Sequence, residues 1–125
     1  MGALSGGVTF DLPWLPSVNR YYGHLGNRVL ISREGRRYRM MVVSRLADVG
    51  ARLRGTVGLS ADCHPPDRRR RDLDNILKEL QDAIVHAGVL DDDSQIRLLH
   101  LEMKEPQPPG GTVHVHLAPL PAGGG

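Results

Sequence analysis

Hydrophobic positions recur along the chain with two periods, and each period predicts an element. Alternation over Val8 to Leu12 reads as a first strand. Pro13 and Pro16 then bracket an extended loop that carries Trp14, Asn19, Arg20, Tyr21 and Tyr22. Val29-Leu30-Ile31 reads as a short second strand, and Ser32 as the N-cap of a helix reaching about Arg54, with Met41, Leu46, Val49 and Leu53 inward. Val57, Leu59, Ala61 and Cys63 alternate as a half-buried strand. Ile76, Leu80, Ala83, Ile84 and Ala87 have helical spacing and stop at Gly88, so a second helix runs from about Leu73 to Ala87. Leu99, Leu101 and Met103 alternate again, as do Val113, Val115 and Leu117 after the turn-rich Pro106 to Gly111, which predicts a terminal hairpin.

The order strand, strand, helix, strand, helix, strand, strand predicts a single small α/β (α+β) domain, a mixed sheet with two helices packed on it. The domain is expected over residues 1–117, with a disordered tail of small residues, Pro and Leu at 118–125. A chain of 125 residues, 40% hydrophobic, has room for one modest core. No apolar run approaches a membrane span. Met1 to Gly6 lacks the basic and apolar regions of a signal peptide, and Gly6 stands where a myristoylation signal needs Ser or Thr. The single cysteine, Cys63, excludes an internal disulfide and points to a reducing, cytoplasmic setting, with Cys63 a small buried residue. Net charge is only +2, yet 14 of the 16 basic residues are arginine and they cluster, so the basic field is local.

The densest cluster, Arg68 to Arg71, is followed at once by Asp72 and Asp74. Guanidinium groups face phosphate, and paired carboxylates are hard ligands for Mg²⁺ or Mn²⁺, so polyanion and metal meet where a helix begins. Asp74, Lys78 and Asp82 fall four apart on that helix, which puts an ammonium beside the acidic pair, able to steady a phosphoryl oxygen. A second acidic run, Asp91 to Asp93, follows the helix and reaches the first only if the chain folds back along it. The strands ending at Cys63 and beginning near Gln95 are therefore expected to be neighbours. Arg20, Tyr21 and Tyr22 suit backbone contact and base stacking, while Trp14 suits the core. The plainer alternatives are a solvated basic face for the arginines, including Arg33, Arg36, Arg37 and Arg39, and helix caps for the aspartates.

Other chemistries fit less well. Calcium binding needs Gly at the sixth loop position, where Leu77 or Ile96 stands. Pro66-Asp67 and Glu102-Met103-Lys104 imitate another nuclease signature, but a helix intervenes. His114 and His116 form an i, i+2 pair with no third metal ligand beside them in sequence.

The run from Cys63 through Gly88, the segment Asp92-Asp93-Ser94-Gln95 and the opening Leu12 to Tyr22 resemble the RusA family of Holliday junction resolvases. The resemblance reaches to about Leu117, and its most specific part is Pro-Asp-Arg-Arg-Arg-Arg-Asp-Leu-Asp-Asn with a lysine three residues on. It implies a homodimeric, Mg²⁺-dependent endonuclease, mostly phage or prophage encoded, that makes paired nicks in four-way DNA junctions. The family's catalytic, metal-holding aspartates fall on Asp72, Asp74 and Asp93 and its essential lysine on Lys78, with Arg68 to Arg71 and the tyrosine loop positioning DNA. The family usually has two acids before x-Gln where this chain has three. Counting from Gln95 selects Asp93, with Asp92 as the alternative. The rival of another class is a non-catalytic module binding junctions or single-stranded DNA, which gains nothing from extra carboxylates facing phosphate.

Overall fold

The computed structural model describes Leu4 and residues 6–121. Among them the order is β1 (Val8–Pro13), α1 (Val18–Tyr21), β2 (Tyr22–Leu25), β3 (Arg28–Ile31), α2 (Arg33–Ala47), β4 (Val57–His64), α3 (Leu73–His86), a 3-10 turn (Asp93–Gln95), β5 (Ile96–Met103) and β6 (Thr112–Pro119). A four-stranded mixed sheet runs β1-β6-β4-β5, and β2 pairs with β3 as a separate hairpin. The fold is a small α+β domain, as expected. Residues 1–3, 5 and 122–125, which include parts of the N-terminal reading and of the tail, lie outside the described residues.

The strands ending near Cys63 and beginning near Gln95 are neighbours, and they run parallel with Val57 opposite Ile96. A parallel pair requires a crossover, and α3 is that crossover. Its stripe of Ile76, Leu80, Ala83 and Ile84 is at most 6% exposed, in one core with Leu59, Ala61, Val115 and Leu117 of the sheet. Each Ile, Leu or Val of this seam contributes about 1.5–3 kcal/mol when fully buried, so the seam holds α3 to the sheet. Cys63 is buried as expected, and burial pushes its thiol up to about 11.

Four expectations are corrected. The terminal hairpin does not form, because β6 pairs with β1 and β4 on its two sides, both antiparallel. The connection from β5 crosses the end of β4, where Lys104 N–H donates to the Cys63 carbonyl and Gln107 N–H to that of Pro65, both 2.8 Å. Alternation identifies strands without naming their partners. The tail boundary also moves: β6 continues to Pro119, Ala118 is fully buried, and Leu120 N–H donates to the Thr56 carbonyl.

The loop after β1 contains a short helix, α1, and Tyr22 opens a strand, so this stretch is not extended throughout. Finally, α2 ends at Ala47, where Val49 and Gly50 N–H return to the Leu46 carbonyl and Gly50 takes φ 62°. Its inward face is Gly35, Tyr38, Val42 and Leu46, while Met41 is exposed; Val49 and Leu53 reach the core from the loop beyond. Ser32 caps α2 as expected, accepting from Gly35 N–H at 3.0 Å, and its hydroxyl donates towards the carbonyls of Arg20 and Tyr21. A Cβ on Gly35 would stand 2.3 Å from the Tyr21 carbonyl oxygen, so the start of α2 needs glycine to lie this close to α1.

Candidate active site

β4 delivers the basic loop, and Asp67 organises it. The Asp67 carboxylate accepts from the Arg71 guanidinium at 2.8 Å and from Arg69 N–H at 2.9 Å, which hold it below the usual carboxylate range. Arg71, only 19% exposed, also lies 5.4 Å from the centroid of the half-buried Trp14 ring. Arg68 pairs with Glu105 at 3.0 Å, while Arg70 makes no ion pair among the described residues. Exposed pairs of this kind contribute at most about 1 kcal/mol, so phosphate can displace them.

Asp72 occupies the N-cap of α3 with φ −102° and ψ 130°, yet its side chain makes no capping hydrogen bond. The reading of Asp72 as a mere cap therefore fails. Asp74 lies in the first turn; both carboxylates are exposed, and neither forms an ion pair among the described residues. Lys78, one turn on, holds its ammonium 4.8 Å from the centroid of the Tyr22 ring.

The triplet before β5 is divided by its hydrogen bonds. Asp91 pairs with Arg52. The Ser94 side chain and then its N–H, at 3.0 Å, hold the Asp92 carboxyl below the usual range, and Gln95 completes a capping box by accepting from the N–H groups of Asp91 and Asp92. The Gln95 amide donates to the carbonyls of Leu53 and Gly55 at 3.0 and 2.9 Å, anchoring the turn. Asp93 has none of these duties and lines a shallow cleft with Tyr22, Lys78, Gln81, Asp82 and Val85.

That cleft lies along the middle of α3. Asp82 is eight residues beyond Asp74, about 12 Å along the axis. Because β5 starts beside the start of β4, Asp93 approaches the body of the helix, whereas Asp72 follows the far end of β4. Among the described residues no three His, Cys, Asp or Glu side chains come together to hold a metal, so Asp72, Asp74 and Asp93 do not form a ready metal-holding group within one chain. His114 and His116 do not form a metal pair either: the first meets Asp11 at 2.5 Å and the second the Gly6 carbonyl at 2.7 Å.

Tyr21 is corrected from a stacking residue to a core anchor. It is fully buried, packed edge-on against Tyr22 and Tyr38, and its hydroxyl donates to Asp82 at 2.5 Å; burial and then that bond push its phenol well up. Arg39 grips the same carboxylate with two bonds of 2.7 and 2.8 Å. Burial alone would raise the Asp82 carboxyl, but the bonds from Arg39 and Tyr21 outweigh it and hold it low. Arg20 is exposed beside the cleft that Asp72 lines, and Tyr22 is half-buried. The sequence reading missed Glu79, which is 2% exposed. Its signal was its place in the apolar stripe, three residues after Ile76 and four before Ala83.

An α+β chain that presents unengaged aspartates under an arginine loop, with a lysine along the same helix, has the make-up of a nuclease. A model of the family described as endodeoxyribonuclease RusA matches residues 11–116. The crossover junction endodeoxyribonuclease RusA of Shigella sonnei is 39% identical over 116 residues, spanning 90% of this chain and 94% of that protein. The protein of that name from Escherichia coli K12 is 38% identical over the same spans, and that of Enterobacteria phage 82 is 39% identical over 113 residues, 87% of this chain and 92% of its own. The chain belongs to the RusA family of endodeoxyribonucleases.

Proposed function

We propose that this protein is a structure-specific endodeoxyribonuclease that resolves four-way DNA junctions by paired symmetric nicks, acting as a homodimer in the cytoplasm. The observation that carries the reading is that Asp72 stands at a helix cap without capping, beside an equally unengaged Asp74 and four arginines. Carboxylates left facing phosphate hinder a pure binding protein and serve a metal-dependent nuclease. Among the described residues no helix is long and apolar enough to cross a membrane.

The donor set fits Mg²⁺, with Mn²⁺ as substitute: hard oxygens on exposed, unpaired carboxylates suit an ion that takes one or two carboxylates and completes its shell with water and substrate phosphate. Asp72 and Asp74 would hold it, with Asp93 as the third ligand. When bound, it supplies Lewis-acid neutralisation of phosphoryl charge and a more acidic water. Lys78, braced by the Tyr22 ring, directs its ammonium at the charge that develops on the phosphate. Arg68 and Arg70 contact the DNA backbone, Arg71 holds the loop to Asp67 and Trp14, and Arg20 and Tyr22 border the strand.

A homodimer follows from the chemistry and from the separation of the acids. Two nicks in opposed strands need two sites, and one chain has a single Asp72-Asp74 pair. Since Asp93 and that pair form no metal-holding group among the described residues of one chain, a second chain can bring its own Asp93 to it. Leu25 and Val29 of the β2–β3 hairpin, 64% and 59% exposed, offer an apolar surface for pairing.

The test is cleavage of a synthetic four-way junction beside linear duplex, with Mg²⁺ and with chelator. Junction-selective nicking that chelator abolishes is expected; junction binding without cleavage in Mg²⁺ or Mn²⁺ would sink the nuclease in favour of the non-catalytic module. Mixing Asp74→Asn with Asp93→Asn chains, each inactive alone, then restores one live site per dimer if the acids are shared between chains. No recovery in chains that do exchange would mean each site is built within one chain.

A further inference from the structure

Glu79 is the anomaly of α3. It is 2% exposed, its Oε2 has no hydrogen-bond partner among the described residues, and burial pushes it up to about 8, so it is largely protonated at neutral pH. A leucine would continue the apolar stripe without leaving a buried polar atom unsatisfied. Glu79 instead lines a cleft of about 540 Å³ formed by the Trp14–Arg20 segment, the basic loop and the start of α3, and is the least exposed of its charged residues. Trp14 forms one wall, Ile76 lies beside Glu79, and Ser17, Asn19 and Asn75 supply hydroxyl and amide groups. Arg70 and Asp72, both exposed, line the cleft as well.

These groups select among ligands. A phosphate deep in the cleft would meet Glu79 and Glu34, and a cation would meet a protonated acid among four arginines. A planar, uncharged, hydrogen-bonding group tethered to a phosphate fits both ends: the phosphate stays at the arginines while the ring enters past Trp14. We propose that this cleft receives one unstacked nucleobase of the strand to be cut, and that Glu79 reads its hydrogen-bonding edge, which makes Glu79 a specificity-determining residue. A neutral carboxyl donates through O–H and accepts through C=O, complementing an edge that offers an acceptor beside a donor. A base with the wrong edge leaves the acid unpaired and is rejected. The assignment rests on the nuclease reading above.

The experiment uses a panel of synthetic junctions in which each nucleotide flanking the nick is varied through all four bases, cut by the full-length protein. Wild type is expected to prefer one base at one position by roughly ten-fold or more, the effect of one good paired contact. Glu79→Leu, checked as folded by thermal unfolding, is expected to cut all four within about two-fold, while Glu79→Gln, which keeps a donor and an acceptor, retains the preference. 2-Aminopurine placed next to that position, with the preferred base kept in it, should brighten when the Asp74→Asn protein binds, as its stacked neighbour leaves. Equal cutting of all bases by wild type, a preference that survives Glu79→Leu, or 2-aminopurine that stays quenched overturns the cleft assignment and leaves the nuclease standing. Absence of any junction cutting refutes the nuclease reading instead.

Discussion

Asp74 and Asp82 share one face of α3 and have the same chemistry, yet the chain treats them in opposite ways. Asp82 is held by three bonds from Arg39 and Tyr21, which tie α1 and α2 to α3. Asp74 is exposed and forms no ion pair among the described residues. A half-buried carboxylate such as Asp82 needs partners to stay ionised, whereas an exposed one in the first turn is favoured without them. Burial and helix position together therefore leave the first-turn carboxylates free for something outside the chain and commit the later one to the fold. Glu79, on the inner side between them, is a third case, buried and unpartnered.

The sharpest way to break the comparison is to neutralise both ends. Asp72→Asn or Asp74→Asn should lower junction cleavage by at least about 10³-fold, several kcal/mol of transition-state stabilisation, while binding holds or tightens and thermal stability changes little. A variant that cuts at near the wild-type rate would remove Asp72 or Asp74 from the site.

Glu79 gives the next largest effect, and it depends on pH. Its folded value, about 8, lies above the ordinary 4.5, so between those values the unfolded chain is ionised while the folded one keeps its proton. Wild-type stability should fall as pH rises through this window and level off above it. Glu79→Gln has no such proton, so its stability relative to wild type should rise by a few kcal/mol from pH 5 to pH 9, at about 1.36 kcal/mol per unit. Urea midpoints at both pH values measure it; parallel curves would mean Glu79 is ionised and solvated.

Asp82→Ala should cost about 2 kcal/mol of stability, less than a fully buried pair because Arg39 and Asp82 retain 21% and 25% exposure. Cleavage should drop only with the folded fraction, as judged by activity well below the melting temperature. A specific loss of activity without destabilisation would move Asp82 to Asp74's side of the comparison.

The smallest effect separates the loop's arginines. Neutralising Arg68 and Arg70 to Gln should lower the magnitude of the slope of log affinity against log salt by about 0.7–0.9 for each lost phosphate contact. Arg71→Gln should act mainly on the loop, since its guanidinium already serves Asp67 and Trp14. Identical slopes for wild type and the double variant would leave Arg68 and Arg70 without DNA contact.

What sequence alone determined was local. The period of Ile76, Leu80, Ala83 and Ile84 makes α3, the alternation at Val57 to Cys63 makes β4, and Asp72, Asp74 and Lys78 share a helix start by spacing alone. Such patterns are legible because the residues that decide them lie within a few positions of one another. Tertiary structure decided whatever depends on a distant partner. β6 lies between β1 and β4 because residues over 100 positions apart, such as Val8 and Leu117, face each other across the sheet. Tyr21 turned inward to Asp82, 61 residues away, although its neighbours in sequence suggested a DNA-facing aromatic. Asp93 lies against Lys78 and Asp82 of α3, a placement that depends on the register of a parallel pair and is invisible in either strand. Glu79 appeared as one acid in an apolar stripe, and only the packing of α3 beside the Trp14–Arg20 segment reveals that it is buried, lines a cleft and leaves its Oε2 without a partner among the described residues.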